Sequence, residues 1–267
     1  MTRAIPVLKW RTALLGLVSA VMFALLGLPI AVLIGRALLV GGWQDLPTAG
    51  TLSTAIWLSL RTTAISVLVI VALGTPLAYV LSRWQFAGKR LVNMMVELPI
   101  VMPPAVAGLA LLLTFGRRGL LGDTLASIGV TVPFTSLAVI IAQIFVSAPF
   151  YIRAAQIGFS SIPDELEDAA RVDGADDWLV FWRVTLPLSL RNLSSGLVLS
   201  WARAVGEFGA TILFAGSIQG RTQTMPLLVY AVFERDINAA IWTGVILIAT
   251  ALFALMINQW LLKSADV

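Results

Sequence analysis

The chain has 267 residues, of which 59% are hydrophobic and 12% are charged, and its formal net charge at pH 7 is +4. This composition excludes an ordinary soluble domain and indicates an integral membrane protein. The sequence contains no cysteine and no histidine, which excludes disulfides, thiolate nucleophiles, histidine bases and histidine metal ligands. We therefore expect no catalytic residue and no metal site.

Apolar runs predict six membrane-spanning helices, because about 20 residues cross the roughly 30 Å of bilayer hydrocarbon. The predicted spans cover residues 12–35, 54–82, 91–115, 135–152, 193–215 and 238–262. The predicted fold class is therefore an all-α integral membrane protein. We divide the chain into an N-terminal part, 1–50, with the first helix and an external loop, and a core, 51–267. The core holds five helices and a long loop at about 153–192.

Lysine and arginine predict which side each loop faces, because they concentrate in cytoplasmic loops. Six spans place both termini on one side, and a cytoplasmic N-terminus puts most basic residues inside. The cytoplasmic set is then Arg3, Lys9, Arg11, Arg83, Lys89, Arg90, Arg153, Arg171, Arg183, Arg191 and Lys263, and the external set is Arg36, Arg117, Arg118, Arg221 and Arg235. We predict cytoplasmic termini in a multi-pass protein of the cell's inner membrane. Because the basic residues are spread over short loops, we expect no nucleic acid partner.

The third predicted span carries Pro99, Pro103 and Pro104. Proline removes a backbone donor and kinks a helix, and irregular backbone in a membrane is tolerated where it lines a cavity or is covered by other helices. A kinked helix that lines and gates a pathway fits this pattern, and so does a kink needed only for packing. We favour the first interpretation and treat the three prolines as candidate gate residues.

The loop at 153–192 is the longest polar segment, and we expect two helices in it. Pro163 followed by acidic residues is typical of a helix start, and Asp173-Gly174 breaks that helix. A second helix begins at Asp176-Asp177 and carries Trp178 and Phe181. These aromatic side chains suit a groove on a partner protein, or an amphipathic anchor at the lipid headgroups. The acidic residues of the loop argue against docking onto anionic lipid.

The same loop resembles the coupling motif of ABC importer permeases, written E-A-A, three residues, G, nine residues, I, one residue, L-P. Asp168 stands at the Glu position and Val184 at the Ile position, and the other positions match. The resemblance implies a type I ABC importer permease, with a cytoplasmic coupling helix between its fourth and fifth spans. The residues implied in coupling to the ATPase are Asp168, Ala169, Ala170, Gly174, Ala175, Trp178, Phe181, Leu186 and Pro187.

A second resemblance narrows the family. The segments similar to molybdate permeases are Arg203-Ala204, Gly206-Glu207-Phe208-Gly209-Ala210-Thr211, Thr222-Gln223-Thr224, Pro226-Leu227 and Tyr230. Sulfate permeases are similar through Arg203 and Glu207 but usually diverge across the Thr-Gln-Thr-x-Pro-Leu segment. The resemblance implies molybdate or tungstate as cargo, with sulfate or thiosulfate as the alternative.

Arg203 and Glu207 would lie near the bilayer middle if the fifth span begins near residue 193. Being four residues apart, they would share a helix face and neutralise each other. Such a pair either stabilises the bundle interior or acts on the pathway. In the second case Arg203 helps an anion to pass and Glu207 prevents it from binding too tightly.

No G-x-x-x-x-G-K-[ST] sequence occurs, so we expect ATP hydrolysis in a separate subunit. The resemblance implies two ABC ATPase subunits that bind ATP and magnesium, a periplasmic or lipoprotein substrate-binding protein, a second permease copy, and surrounding membrane lipid. It implies no cofactor bound by this chain. An ion-coupled secondary transporter is the alternative from another class, with Glu97 and Glu207 as the obvious membrane-depth acids. A membrane enzyme is disfavoured by the poverty of catalytic side chains.

Overall fold

The computed structural model describes residues 7–40, 44 and 46–263, so Arg3 and residues 264–267, which entered the predictions, lie outside it. The long regular elements of this part are all helical. In chain order they are α1 (Val7–Val40), α2 (Ala49–Arg83), α3 (Lys89–Val101), α4 (Pro104–Phe115), α5 (Gly122–Ser127), α6 (Ser136–Ser160), α7 (Asp164–Val172), α8 (Asp177–Val180), a π-helical turn (Phe181–Thr185), α9 (Leu186–Val205), α10 (Gly209–Phe214), α11 (Met225–Phe233) and α12 (Ile237–Lys263).

Within the described residues, three helices are each long and apolar enough to cross a membrane: α1, α2 and α6. The helices α3 and α4 would make a fourth crossing together, but they are bent by 119° at the break between them. The helices α9 and α12 have 20 and 27 residues. The all-α membrane fold is confirmed, and the count of six crossings stays a prediction.

Helix α6 lies at the centre of the bundle, between α2 and α9. Its contact with α9 is close because small residues face each other across it. A Cβ atom added to Gly158 would lie 2.8 Å from the Cβ of Asn192, and one added to Gly196 would lie 2.7 Å from the Cβ of Ala154. In membranes, where helices gain little from hydrophobicity alone, such close backbone approach is a main source of association.

A polar network crosses the interior where α2, α6 and α9 meet. The side-chain amide of Gln143 donates to the hydroxyl of Thr63 (3.1 Å) and to the carbonyl of Ala204 (3.2 Å), and its oxygen accepts from Ser66 (3.0 Å). All four residues are buried. The Ala204 carbonyl, near the end of α9, also accepts from the N–H of Glu207 (3.2 Å), so Gln143 supplies its second hydrogen bond.

The third predicted span, 91–115, is not one helix. Helix α3 ends at Val101, α4 begins at Pro104, and the two residues between them, Met102 and Pro103, are extended. Each of these two residues precedes a proline, whose ring disfavours the helical conformation in the residue before it. The kink predicted from the prolines is therefore a full break between two helices.

The loop predicted at 153–192 is shorter than expected. Helix α6 continues past the predicted end of span four, residue 152, to Ser160, and Arg153 is therefore a helical residue. At the other end, the chain stays helical from Asp177 through the π-helical turn into α9. The predicted fifth span, 193–215, is wrong at both ends, because α9 begins earlier and stops at Val205 before Gly206.

Helix α11 occupies the stretch between the last two predicted spans, where we expected an external loop. Its first residues, Met225 to Leu228, are buried. The N–H of Met225 donates to the hydroxyl of Ser59 on α2 (2.7 Å), which satisfies one of the free donors at the start of the helix. With nine residues, α11 is too short to cross the membrane.

We predict that Gly196→Val lowers the stability of the bundle by about 1–3 kcal/mol, because the new side chain must push α9 away from α6. The measurement is thermal unfolding of the purified full chain in detergent. Gly244→Val on α12 is the matched control, since a Cβ there meets nothing within 4 Å. Equal losses of stability in the two variants would show that the α6–α9 approach is unimportant.

Candidate coupling loop and membrane break

The polar loop folds as two short helices separated by a tight turn. Helix α7 begins after Pro163, as predicted. The second helix, α8, begins after Asp176, also as predicted, and the Asp176 carboxylate caps it by accepting from the N–H of Leu179 (2.7 Å). Between them Gly174 has a φ of +94°, and nothing lies within 4 Å of the position its Cβ would take. The turn thus requires glycine for its left-handed backbone and not for space.

Glu167 is the buried acid of this loop, with 4% of its surface exposed. Its carboxylate accepts from Arg83 at the end of α2 (2.7 Å) and from the hydroxyl of Thr185 in the π-helical turn (2.8 Å). Arg171, one turn further along α7, brings a guanidinium nitrogen to 3.7 Å from the same carboxylate. Glu167 therefore ties α7 to the helices on either side of it.

Glu167 was not among the predicted coupling residues, whereas its neighbour Asp168, which aligns with the motif, was predicted. The Asp168 side chain is 69% exposed and pairs only with Arg171 within the described chain (2.9 Å). The spacing of Glu167 and Arg171, four residues apart on one helix face, was the available signal. The hydrogen bond from Arg171 to Asp177 raises the pKa of Arg171 and joins α7 to the start of α8.

Arg83 extends this joint to α6. It donates to the carbonyl of Ile162, just after α6, and to the carboxylate of Asp164 as well as to Glu167. These contacts hold together the ends of α2 and α6 and the start of α9. We call this end of the bundle the α7 end.

Aromatic side chains at the start of the second helix point in two directions. Trp178 and Trp182 are 71% and 47% exposed, and they contact each other edge to face at 5.6 Å between ring centroids. Phe181 instead packs against Tyr79 (5.2 Å) and Phe159 (6.3 Å). Phe181 also contacts Trp182 (5.5 Å), so it is partly buried beneath the exposed tryptophans, and its place in the docking surface stays a prediction.

The other motif residues divide in the same way. Asp168, Ala169, Gly174 and Pro187 are exposed, whereas Ala170, Ala175 and Leu186 are partly buried. Leu186 packs on the apolar cluster between α2, α6 and α9. The exposed surface available to a partner thus comprises one face of α7, the turn at Gly174 and the two tryptophans.

Arg203 and Glu207 form the predicted ion pair, with 2.6 Å between Nη1 and Oε2. They do not share a helix, because α9 ends at Val205 and Glu207 lies in the break that follows. Its second carboxylate oxygen accepts from the N–H of Ala210 at the start of α10 (2.8 Å). Glu207, only 2% exposed, therefore bridges the two helical segments across the break.

The two interrupted helices meet at their breaks. A Cβ on Gly209 would collide with the ring of Pro104, and one on Gly108 would lie 2.8 Å from the carbonyl oxygen of Ala210. The candidate gate residues Pro103 and Pro104 therefore lie beside the Glu207 segment, whereas Pro99 lies within α3. Irregular backbone of this kind occurs in membranes where it is covered by protein or lines a cavity.

Residues 70–265 match the family model described as "Binding-protein-dependent transport system inner membrane component". The chain belongs to this family. Its members are transport components, so the expectation of a transport subunit is met by the family assignment.

Among individual inner membrane components, the chain is similar to the "Molybdenum transport system permease protein ModB" of Mycobacterium tuberculosis, with 41% identity over 78% of this chain and 79% of that protein. The protein of the same name from Escherichia coli K12 is 38% identical over 78% of this chain and 93% of its own length. The "Probable sulfate transport system permease protein cysT" of Chlorokybus atmophyticus is 35% identical over 88% and 83%.

Solved structures show the same fold as this inner membrane component. A chain of a bacterial ABC transporter "involved in the import of the acidic polysaccharide alginate" gives a TM-score of 0.76 at 18% identity, covering 96% of both chains. The alginate transporter in complex with an alginate-bound periplasmic protein gives 0.74 at 19% identity, over 94% of this chain and 93% of that one. The predicted type I ABC importer permease fold is confirmed.

We predict that Glu167→Gln loosens α7 by roughly 3 kcal/mol, since breaking a buried ion pair from one side leaves Arg83 without its buried partner. Hydrogen exchange of the α7 amides measures this local opening. Asp164→Asn is the matched control, because its carboxylate also binds Arg83 but its side chain is 83% exposed. For Asp164→Asn we expect the free energy of opening α7 to fall by less than about 1 kcal/mol. Equal effects of the two variants would contradict the role of Glu167.

Proposed function

We propose that this chain is the membrane subunit of an ATP-driven importer of molybdate or tungstate. The observation that carries the proposal is the identity of 38–41% to two molybdenum transport permeases over 78% of the chain. The similarity to a sulfate permease supports sulfate as the second candidate cargo. Molybdate, tungstate and sulfate are all tetrahedral dianions, which an arginine can bind through paired N–H groups.

In the proposed assembly, two copies of this chain surround the pathway and two ATPase subunits, with ATP and magnesium, contact the α7 ends. A substrate-binding protein delivers the anion from outside. Both termini and the α7 end face the cytoplasm, in agreement with the distribution of basic residues. The exposed Trp178 and Trp182 supply the apolar contact that a partner's groove requires.

Coupling in this proposal follows the buried contacts at the α7 end. A displacement of α7 by the ATPase acts on Thr185 through Glu167 and on Arg83 at the end of α2. Because Thr185 leads without interruption into α9, the helix moves with the loop and shifts the break at Gly206. ATP binding and hydrolysis bias the permease pair between outward-open and inward-open arrangements.

Arg203 and Glu207 would act on the passing anion unequally. The Arg203 side chain is 30% exposed, whereas that of Glu207 is 1% exposed. An anion at the break therefore meets the guanidinium of Arg203 first, while the buried carboxylate of Glu207 reduces the net positive charge of the site. Such a site attracts an anion without trapping it, as conduction requires.

We predict that the chain, expressed with its ATPase and binding protein in cells lacking molybdate uptake, restores accumulation of labelled molybdate. Uptake of radioactive molybdate and sulfate should be measured in parallel, with an ATPase variant that binds but does not hydrolyse ATP as control. Molybdate uptake that stops in the ATPase variant is the expected result. Sulfate uptake alone would move the cargo to the second candidate, and uptake driven by an ion gradient without the ATPase would exclude an ABC importer.

We further predict that Trp178→Cys crosslinks to the ATPase subunit. The chain has no native cysteine, so the introduced thiol is the single reactive site. Phe181→Cys is the matched control, since it lies close by but packs inward on Tyr79 and Phe159, and it should crosslink poorly. Capture of lipid alone by Trp178→Cys would favour the amphipathic anchor instead.

A further inference from the structure

Helices α3 and α6 share a polar cluster near the α7 end. Asn93 and Glu97 lie one turn apart on α3, and Arg153 and Gln156 lie one turn apart on α6. Glu97 and Arg153 form an ion pair at 3.0 Å. The carbonyl oxygen of Gln156 accepts from Arg153 (3.1 Å), and its amide donates to Asn93 (2.9 Å). The four residues thus form a continuous chain of polar contacts between the two helices.

This cluster joins two helices, and Arg153 lies within α6 and not in the loop where it was predicted. Helix α6 has 25 residues, or about 37 Å, against roughly 30 Å of hydrocarbon. Arg153 precedes the end of α6 at Ser160 by about two turns, or about 10 Å. With α6 centred in the bilayer, the Cα of Arg153 lies several Å inside the hydrocarbon, and the guanidinium reaches towards Gln156, one turn nearer the helix end.

The ion pair is nevertheless open on one side. The Arg153 and Glu97 side chains are 49% and 43% exposed in the single chain. Charged groups at this depth are costly against lipid and almost always face a bundle interior or a water-filled cavity. The exposed side of the cluster is thus expected to face the aqueous pathway.

A cavity of about 370 Å³ opens beside the cluster, which we call the α3–α6 pocket. The polar residues that line it are Ser82, Asn93, Arg153, Gln156, Ser160 and Ser161. Within the described chain, the Nη2 group of Arg153 and the amide nitrogen of Asn93 donate to no acceptor. The pocket therefore presents a guanidinium and an amide with free N–H groups, and its lining residues include no carboxylate. Glu97 is not a lining residue and contacts the guanidinium of Arg153.

We propose that the α3–α6 pocket binds a tetrahedral oxyanion on the cytoplasmic side of the pathway. The assignment rests on the proposed function for its orientation and for the cargo. Arg153 and Asn93 bind the anion through their free N–H groups, and Glu97 competes with it for the guanidinium. This competition keeps the anion weakly held, so that it can leave.

The pocket also borders the joint that the ATPase would move. Ser82 precedes Arg83 on α2, and Ser161 precedes Ile162, whose carbonyl accepts from Arg83. A displacement of α7 that shifts Arg83 therefore changes the wall of the pocket. Anion release and the state of the ATPase are coupled through this shared wall.

Opposite effects of two substitutions test the proposal. Binding of radioactive molybdate is measured on the purified permease–ATPase complex without its binding protein, with sulfate and phosphate as competitors. Glu97→Gln removes the competing carboxylate and should tighten binding about tenfold, whereas Arg153→Gln should weaken it at least tenfold. Arg90→Gln, an exposed basic residue of α3 outside the pocket, should change it less than twofold.

A gain of affinity in Glu97→Gln cannot arise from misfolding, and Arg153→Lys should retain part of the binding. Weaker binding in both Glu97→Gln and Arg153→Gln would show that the ion pair is only structural, and no change in either would also overturn the proposal. If cells import molybdate but the variants bind it equally, the pocket fails and the proposed function stands. If cells import only sulfate and the variants shift sulfate binding as described, the pocket stands and the molybdate assignment fails.

Discussion

The buried carboxylate of Glu167 is the interaction on which the α7 end depends. A carboxylate out of water is costly unless cations and hydrogen bonds surround it, and here Arg83 and the Thr185 hydroxyl meet that need from two other elements. Those partners can satisfy the acid only when α7 lies across the ends of α2 and the π-helical turn. The charge thus fixes the position of a short helix that has little apolar surface of its own to bury.

The membrane interior imposes the same requirement on the backbone. Helix breaks at Met102-Pro103 and after Val205 interrupt the regular hydrogen bonding of the helices, and in hydrocarbon each peptide group left without a partner is costly. After Val205, Gln143 donates to the carbonyl of Ala204, which also accepts from the N–H of Glu207, and the Glu207 carboxylate accepts from the N–H of Ala210. These two polar side chains thereby stabilise the irregular backbone beside the proposed pathway.

Local signals in the sequence predicted the helix starts at Pro163 and Asp176 and the Arg203–Glu207 pair, because caps and close charge pairs depend on neighbouring residues. Hydropathy could not place the helix ends. Arg153 lies within α6, where its charge has partners in Glu97 and Gln156 that only the packed structure shows. For the same reason Glu167 was missed, since its partner Arg83 lies far away in the sequence.

In the proposed coupling, α7 and α9 move as one unit when the ATPase changes state. Spin labels on cysteines introduced at Asp173 and Leu199, both exposed, report the distance between the two elements within one chain by pulsed electron paramagnetic resonance. Dilution with unlabelled permease removes distances between copies. Movement as one unit predicts the same distance in the nucleotide-free and ATP-bound complexes. A change in that distance between the two states would show that α7 moves independently of α9 and would exclude the proposed coupling.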